Sequence, residues 1–125
     1  MNNEGILIVD DEAIIREVVG TILKERGYNV LKARNSAEAQ ELFAKYNEHI
    51  VIVITDLRMP GGSGVELAKA LRRVRADLPI LFISGDGENP VRFGSLTDFL
   101  AKPFTRKTIV AAVGNLITQR LAVCP

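Results

Sequence analysis

The chain has 125 residues, 47% of them hydrophobic, which is enough to bury the core of one domain and too few for a second. Sixteen basic residues against fifteen acidic ones leave a net charge of +1, and no basic run is present that could follow a nucleic acid backbone. We therefore expect a single domain over residues 1–125 that does not bind nucleic acid directly.

Cysteine usage and hydropathy indicate where such a protein would work. Cys124 is the only cysteine, so a disulfide framework and a thiolate metal site are both excluded. The apolar runs are too short to span a membrane, and the first residues lack the pattern of a signal peptide. We expect a cytoplasmic protein without a membrane partner.

Five short apolar runs, none of which alternates with polar residues, predict strands covered on both faces. They lie at residues 5–9, 28–33, 50–55, 79–84 and 97–101. Segments of helical periodicity separate them, as crossover helices separate parallel strands. The sequence therefore predicts an α/β domain in which a strand and a helix alternate five times.

The first helix is predicted to begin after Asp10-Asp11 and to end at Gly27. Its apolar residues recur at helical spacing and predict one buried stripe, made of Ile14, Ile15, Val18, Val19, Ile22 and Leu23. Asn35 is predicted to cap the second helix together with Glu38, three residues later. The inner face of that helix would carry Leu42, Phe43 and Tyr46.

The third helix is predicted to open at Gly64 and to stop before Pro79, and its apolar positions are Val65, Leu67, Ala68, Leu71 and Val74. The preceding run of glycines and Ser63 is interpreted as a flexible turn, because no Gly-Lys-Ser/Thr follows it. Three arginines near the end of this helix, Arg72, Arg73 and Arg75, indicate a small solvated basic face.

Glycines and a proline interrupt residues 85–96, so the fourth helix is expected to be short or irregular and this segment to be the most mobile internal one. A last helix is predicted after Thr105. The periodicity predicts an apolar side made of Ile109, Val110, Val113, Leu116, Ile117 and Leu121.

Polar side chains follow four of the predicted strands at the point where each strand ends. They are Asp10 with Asp11, Asp56, Ser84 and Lys102. Because the carboxyl ends of parallel strands meet at one edge of a sheet, we expect these residues to share a pocket.

Carboxylates placed this close together repel one another unless a cation lies between them, and oxygen ligands favour Mg²⁺. Asp11 and Asp56 could bind the metal directly, with Asp10 acting through water or as a hydrogen-bond acceptor that does not touch the metal. Asp56 could also attack a phosphoryl group, provided that the metal and the Lys102 ammonium neutralise the approach. The hydroxyl of Ser84 could donate to a phosphoryl oxygen.

Four motifs carry these residues: Asp10-Asp11, Asp56-Leu57-Arg58-Met59-Pro60, Ser84-Gly85 and Lys102-Pro103-Phe104. Together they resemble the motifs of the receiver domain of two-component response regulators, in the same order and over nearly the whole chain. The resemblance implies a flavodoxin-like doubly wound sheet with strand order 2-1-3-4-5. It also implies a cis peptide bond before Pro103.

The resemblance further implies a role for each site residue. Asp56 would be the phosphoacceptor, charged by a sensor histidine kinase or a histidine phosphotransfer protein. Asp10, Asp11, Asp56 and the backbone carbonyl of Arg58 would hold Mg²⁺. Ser84 and Lys102 would hold the phosphoryl oxygens, and Ser84 and Phe99 would form the switch that changes the affinity for an output partner whose identity the sequence does not reveal.

Arg58, Gly85 and Asp86 occupy places that flank the path of the attacking water in this family. The opposite charges of Arg58 and Asp86 make a contact across the pocket possible, which would screen the phosphoryl group and prolong the phosphorylated state. The shortened segment between Ser84 and Lys102 points to a changed output surface.

Two other functions remain open at this point. The first is a receiver-like adaptor that works without phosphorylation. The second is a small phosphatase of the haloacid dehalogenase type, which would want a second aspartate where this chain has Arg58. Whether the receiver stands alone or belongs to a longer chain also stays open.

Overall fold

The computed structural model describes residues 4–59, 62–85 and 95–123. The strands of the main sheet are β1 (Gly5–Val9), β2 (Asn29–Ala33), β3 (Ile50–Asp56), β4 (Ile80–Ser84) and β5 (Thr97–Ala101). The helices are α1 (Ala13–Glu25), α2 (Ser36–Tyr46), α3 (Gly64–Val74) and α4 (Arg106–Val123). None of the helices in these ranges is long and apolar enough to cross a membrane.

The main sheet is parallel throughout, with strand order 2-1-3-4-5. All five predicted strands are confirmed, and their observed bounds lie within one residue of the predicted ones. The order reverses between β1 and β3, so the carboxyl ends of these two strands flank a crevice. The fold predicted from the sequence is confirmed.

The strands lack alternation because both faces of the sheet are buried. Successive residues of β1 alternate between two cores: Ile6 and Ile8 pack towards α1 and α4, whereas Leu7 and Val9 pack towards α2 and α3. All four side chains are completely buried. The sheet is therefore the central layer of three.

Helix α1 differs from its prediction on one side. Val19, Ile22 and Leu23 are buried as expected, but Ile14 is 74% exposed and Val18 is 46% exposed. The apolar stripe is wider than the face that the sheet and α4 can cover, so its outer edge meets solvent. Gly27 follows the helix with φ +95°, in the left-handed region that glycine adopts without strain.

The predicted capping of α2 is confirmed. The side chain of Asn35 accepts a hydrogen bond from the Glu38 N–H at 2.8 Å, and Glu38 in turn accepts one from the Arg34 N–H at 2.9 Å. The second bond reaches the residue before the cap, so the pair resembles a capping box displaced by one residue. On the inner face, Phe43 is buried and Leu42 and Tyr46 pack beside it.

The glycine-rich turn before α3 has more structure than the sequence suggested. Gly62–Ser63 pairs with Arg58–Met59 as a short antiparallel ladder. The hydroxyl of Ser63 caps α3 by accepting a hydrogen bond from the Glu66 N–H at 3.1 Å. The end of β3 is thereby tied directly to the start of α3.

The predicted solvated basic face on α3 is wrong for two of its three arginines. Arg72 is partly buried and donates to the carbonyls of Leu78 and Leu96 and to the hydroxyl of Thr97. Arg75 donates to the carbonyls of Asn47 and Ile50. Their long side chains reach past the helix end to backbone oxygens at the amino ends of the strands.

Two outer helix positions that were predicted on apolar stripes are also exposed, Val74 at 63% and Leu121 at 68%. Each lies at or near the carboxyl end of its helix. The predicted short or irregular helix within 85–96 falls mainly on residues 86–94, which lie outside the described residues, and its shape and mobility stay predictions.

Candidate functional site

The site lies at the carboxyl edge of the sheet. Asp56 and Ser84 are the last residues of β3 and β4, whereas Asp10 and Lys102 immediately follow β1 and β5. Backbone bonds hold these ends in register, from the Leu57 N–H to the Ile83 carbonyl at 2.9 Å and from the Lys102 N–H to the Ser84 carbonyl at 2.8 Å. The predicted convergence of these residues on one edge is thus observed.

Three aspartates form one cluster in which each offers a carboxylate oxygen within 4.8 Å of the others: Asp10, Asp11 and Asp56. Asp10 is completely buried, Asp56 is 8% exposed and Asp11 faces solvent. Two oxygens bound to one Mg²⁺ lie up to about 4.2 Å apart, because each bond is about 2.1 Å long. Small side-chain shifts would bring the three oxygens to that separation, so the cluster could hold such an ion.

Lys102 lies in the middle of this negative charge. Its Nζ is 3.4 Å from Asp10 Oδ2 and 3.4 Å from Asp56 Oδ2. A third carboxylate, that of Glu12, lies at 3.2 Å. Glu12 was not among the predicted site residues, and its one signal in the sequence is that it follows the aspartate pair directly.

The charges shift the protonation equilibria of two of these groups. Burial raises the pKa of the Asp10 carboxyl above its usual value, although the Glu12 N–H and Lys102 partly oppose the shift. For Lys102, burial alone would lower the pKa, but attraction to Asp10 and Asp56 and the contact with Glu12 outweigh it and raise the pKa. Lys102 is therefore charged at neutral pH, and a bound cation would favour the ionised form of Asp10.

Backbone contacts hold the two buried aspartates. Arg16 donates to the Asp10 carbonyl at 2.7 Å, and the Glu12 N–H donates to Asp10 Oδ1 at 2.9 Å. Next to Asp56, the Thr55 hydroxyl donates to the Asp56 carbonyl at 3.0 Å. These contacts hold the backbone of both aspartates and one carboxylate oxygen of Asp10.

Ser84 and Phe99 connect the pocket to the edge of the sheet. Ser84 is almost buried, and its neighbour in the strand, Ile83, pairs with Asp56. Phe99 is partly buried and its ring stacks on that of Phe82 with the centroids 5.3 Å apart. The peptide bond between Lys102 and Pro103 is cis, as the family resemblance predicted.

Of the remaining predicted site residues, Arg58 and Gly85 are among the described residues and Asp86 is not. Arg58 is exposed, and its N–H approaches Asp56 Oδ1 at 3.4 Å. Gly85 is exposed beside the Lys102 side chain. Asp86 lies outside the described residues, so its contact with Arg58 stays a prediction, as does the use of the Arg58 carbonyl as a ligand.

Comparisons with known proteins agree with this geometry. The sequence profile of the response regulator receiver domain matches residues 6–114. The phosphate regulon transcriptional regulatory protein PhoB of Pseudomonas aeruginosa is 35% identical over 95% of this chain and 54% of its own length. The aerobic respiration control protein ArcA of Escherichia coli is 31% identical over 97% of this chain and 51% of its own. The chain thus spans about half the length of these curated relatives.

Among solved structures, the receiver domain of the hybrid histidine kinase CckA has a TM-score of 0.80 at 34% identity and covers 90% of this chain and 98% of its own. The sequence after Asp56 does not support the alternative family, the dehalogenase-like phosphatases. That chemistry would want a second aspartate at position 58, where this chain has Arg58. The chain therefore belongs to the response regulator receiver domains of two-component signalling systems.

Proposed function

We propose that Asp56 accepts a phosphoryl group from a phosphohistidine of a sensor histidine kinase or a histidine phosphotransfer protein. The observation that carries the proposal is the position of Asp56, whose side chain is 12% exposed and lies between two further aspartates and the Lys102 ammonium. The proposed metal is Mg²⁺, held by Asp10, Asp11, Asp56 and the backbone carbonyl of Arg58.

In the proposed reaction an Asp56 carboxylate oxygen attacks phosphorus. A phosphorus–oxygen bond forms, the phosphorus–nitrogen bond breaks, and the imidazole leaves as it takes up a proton. Bound Mg²⁺ would supply positive charge against the negative charge of the phosphoryl oxygens. Lys102 would exchange its contact with Asp56 for one with a phosphoryl oxygen, and the Ser84 hydroxyl would donate to another.

Phosphorylation would then bias an equilibrium between two states of the domain. Ser84 and Lys102 are joined through the backbone bond between β4 and β5, and Phe99 lies on β5 three residues before Lys102. We propose that movement of Ser84 towards the phosphoryl group repositions Phe99 and so alters the surface seen by an output partner. The domain would act in the cytoplasm over residues 1–125, as a switch and not as a conventional enzyme.

An exposed apolar patch beside the pocket supports the proposed donor. Ile14 and Val18 lie on the outer side of α1, which begins two residues after Asp11. We propose that the helix carrying the phosphohistidine contacts this patch. Ile14→Ser should slow transfer from a phosphorylated histidine phosphotransfer protein while leaving labelling by acetyl phosphate unchanged, since the small donor needs no docking.

The test of the chemistry is intact-mass analysis after incubation with acetyl phosphate and Mg²⁺. The expected result is a gain of one phosphoryl group that disappears in Asp56→Asn and when the metal is chelated. Asp98→Asn is the matched control, because Asp98 is an exposed aspartate near the amino end of β5, whereas the acidic cluster lies at the carboxyl edge of the sheet. It should be labelled like the wild type.

Labelling that survives Asp56→Asn would contradict the assigned acceptor. No labelling of a folded wild-type protein, by acetyl phosphate or by a phosphorylated phosphotransfer protein, would instead favour the adaptor that works without phosphorylation.

A further inference from the structure

Lys102 has a third partner that the proposed chemistry does not use. Glu12 Oε1 is 3.2 Å from Lys102 Nζ, slightly closer than the oxygens of Asp10 and Asp56 at 3.4 Å. A lysine ammonium has three hydrogens to donate. The three nearby carboxylates match the three hydrogens that this ammonium can donate.

The direction of the Glu12 side chain is set by its place before α1. Glu12 is the residue that caps the amino end of this helix, yet its side chain makes no capping hydrogen bond. Its N–H is instead bound to Asp10 Oδ1, and its carbonyl accepts from the Arg16 N–H. With the backbone held in this way, the carboxylate extends over the pocket to Lys102.

We propose that Glu12 is a positioning residue that retains Lys102 at the mouth of the pocket and thereby slows phosphorylation of Asp56 by anionic donors. This inference rests on the proposed function. A donor's phosphoryl oxygens need the Lys102 ammonium, which Glu12 occupies in part. The donor also passes the negative charge of Glu12, whose side chain is 60% exposed at the pocket mouth.

The expected effect is moderate because Glu12 is solvated. A unit charge about 6 Å from a mono- or dianionic phosphoryl group in water changes a rate by about three- to tenfold at low ionic strength. The effect should decrease as salt is added, because the screening length falls from about 10 Å at 0.1 M to about 3 Å at 1 M. A residue with a purely structural role would not produce this salt dependence.

The experiment compares initial rates of phosphorylation of wild type, Glu12→Gln and Glu17→Gln at saturating Mg²⁺. Glutamine keeps the length of the side chain and an acceptor oxygen for Lys102 but removes the charge. Glu17 is the matched control, since it also lies near the start of α1 and pairs with a lysine, Lys32, at 3.1 Å, but is not among the carboxylates around Lys102.

With acetyl phosphate at low salt, Glu12→Gln should react about three- to tenfold faster than the wild type, and Glu17→Gln at the wild-type rate. The gain should be smaller with phosphoramidate, which carries less negative charge, and should vanish near 1 M salt. The inference would be overturned if Glu12→Gln reacts at the wild-type rate or more slowly, or if its faster rate does not depend on the salt concentration. In those cases the wild type is still labelled on Asp56 and the proposed function stands; a wild type that accepts no phosphoryl group removes both.

Discussion

Gly64 packs against the backbone of the proposed phosphoacceptor so closely that a methyl group there has no room. A Cβ built on Gly64 would lie 2.1 Å from the Asp56 carbonyl oxygen and 3.2 Å from the Leu57 Cα. Since real Cβ atoms essentially never approach a neighbour within 3.0 Å, Gly64→Ala must push the two segments apart by about 1 Å. The obstacle is backbone, which cannot rotate away as a side chain could.

The expected cost follows from these contacts. Overpacking costs about 1–3 kcal/mol, and strain on the hydrogen bond from the Gly64 N–H to the Leu57 carbonyl, now 2.9 Å, adds about 1 kcal/mol. Alanine returns up to about 1 kcal/mol through its higher helix propensity. We expect Gly64→Ala to lower the free energy of unfolding by about 1–4 kcal/mol. Because Asp56 moves, the variant should also show reduced labelling by acetyl phosphate in folded protein.

Urea unfolding followed by far-UV circular dichroism measures the change, since the chain has no tryptophan. Gly62→Ala is the matched control two residues away, because no atom lies within 4 Å of a Cβ at that position. It should change the free energy of unfolding by no more than about 0.5 kcal/mol. Equal stabilities of the two variants would refute the reasoning from close approach.

Two further predictions concern Arg72 and Asp10. Arg72→Ala should lower the free energy of unfolding by about 2 kcal/mol because it removes three hydrogen bonds, two of them to backbone carbonyls, whereas exposed Arg73→Ala should change it by less than about 0.5 kcal/mol; equal urea midpoints would contradict this. Asp10→Asn should stabilise the metal-free protein at pH 7. Burial raises the folded-state pKa of this carboxyl, so the wild type loses stability as the pH rises from the unfolded-state pKa through the folded-state one. The gain should vanish in urea titrations below about pH 4, where the carboxyl is protonated in both states, and a gain that persists there would point to packing instead of charge.

The strand and helix pattern of this protein could be predicted because it depends on short stretches of chain. Both faces of the sheet are buried, so each strand is a continuous apolar run whatever its neighbours are. The Asn35–Glu38 cap needs only residues three apart in sequence. The convergence of Asp10, Asp56 and Lys102 follows from parallel strands ending at one edge.

The hydrogen-bond partners of long side chains could not be predicted from short stretches of chain. Arg72 and Arg75 have the sequence pattern of a solvated basic face, yet their guanidinium groups reach carbonyls up to 28 residues away in the chain. An arginine can either remain hydrated or bind backbone oxygens, and the choice depends on which oxygens the fold brings within its reach. Glu12 is a similar case, since its partner Lys102 is 90 residues away.

Periodicity and strand-end position are local properties, so the sequence is sufficient to predict the type and order of the described elements and the charged groups at the carboxyl edge. Which part of the α1 stripe is buried depends on tertiary packing, since the contacts with α4 and the sheet set the width of the covered face. The tertiary structure also decided the close approach of Gly64 to Asp56 and the sharing of Lys102 among three carboxylates. These are distances between segments, and only the folded chain defines them.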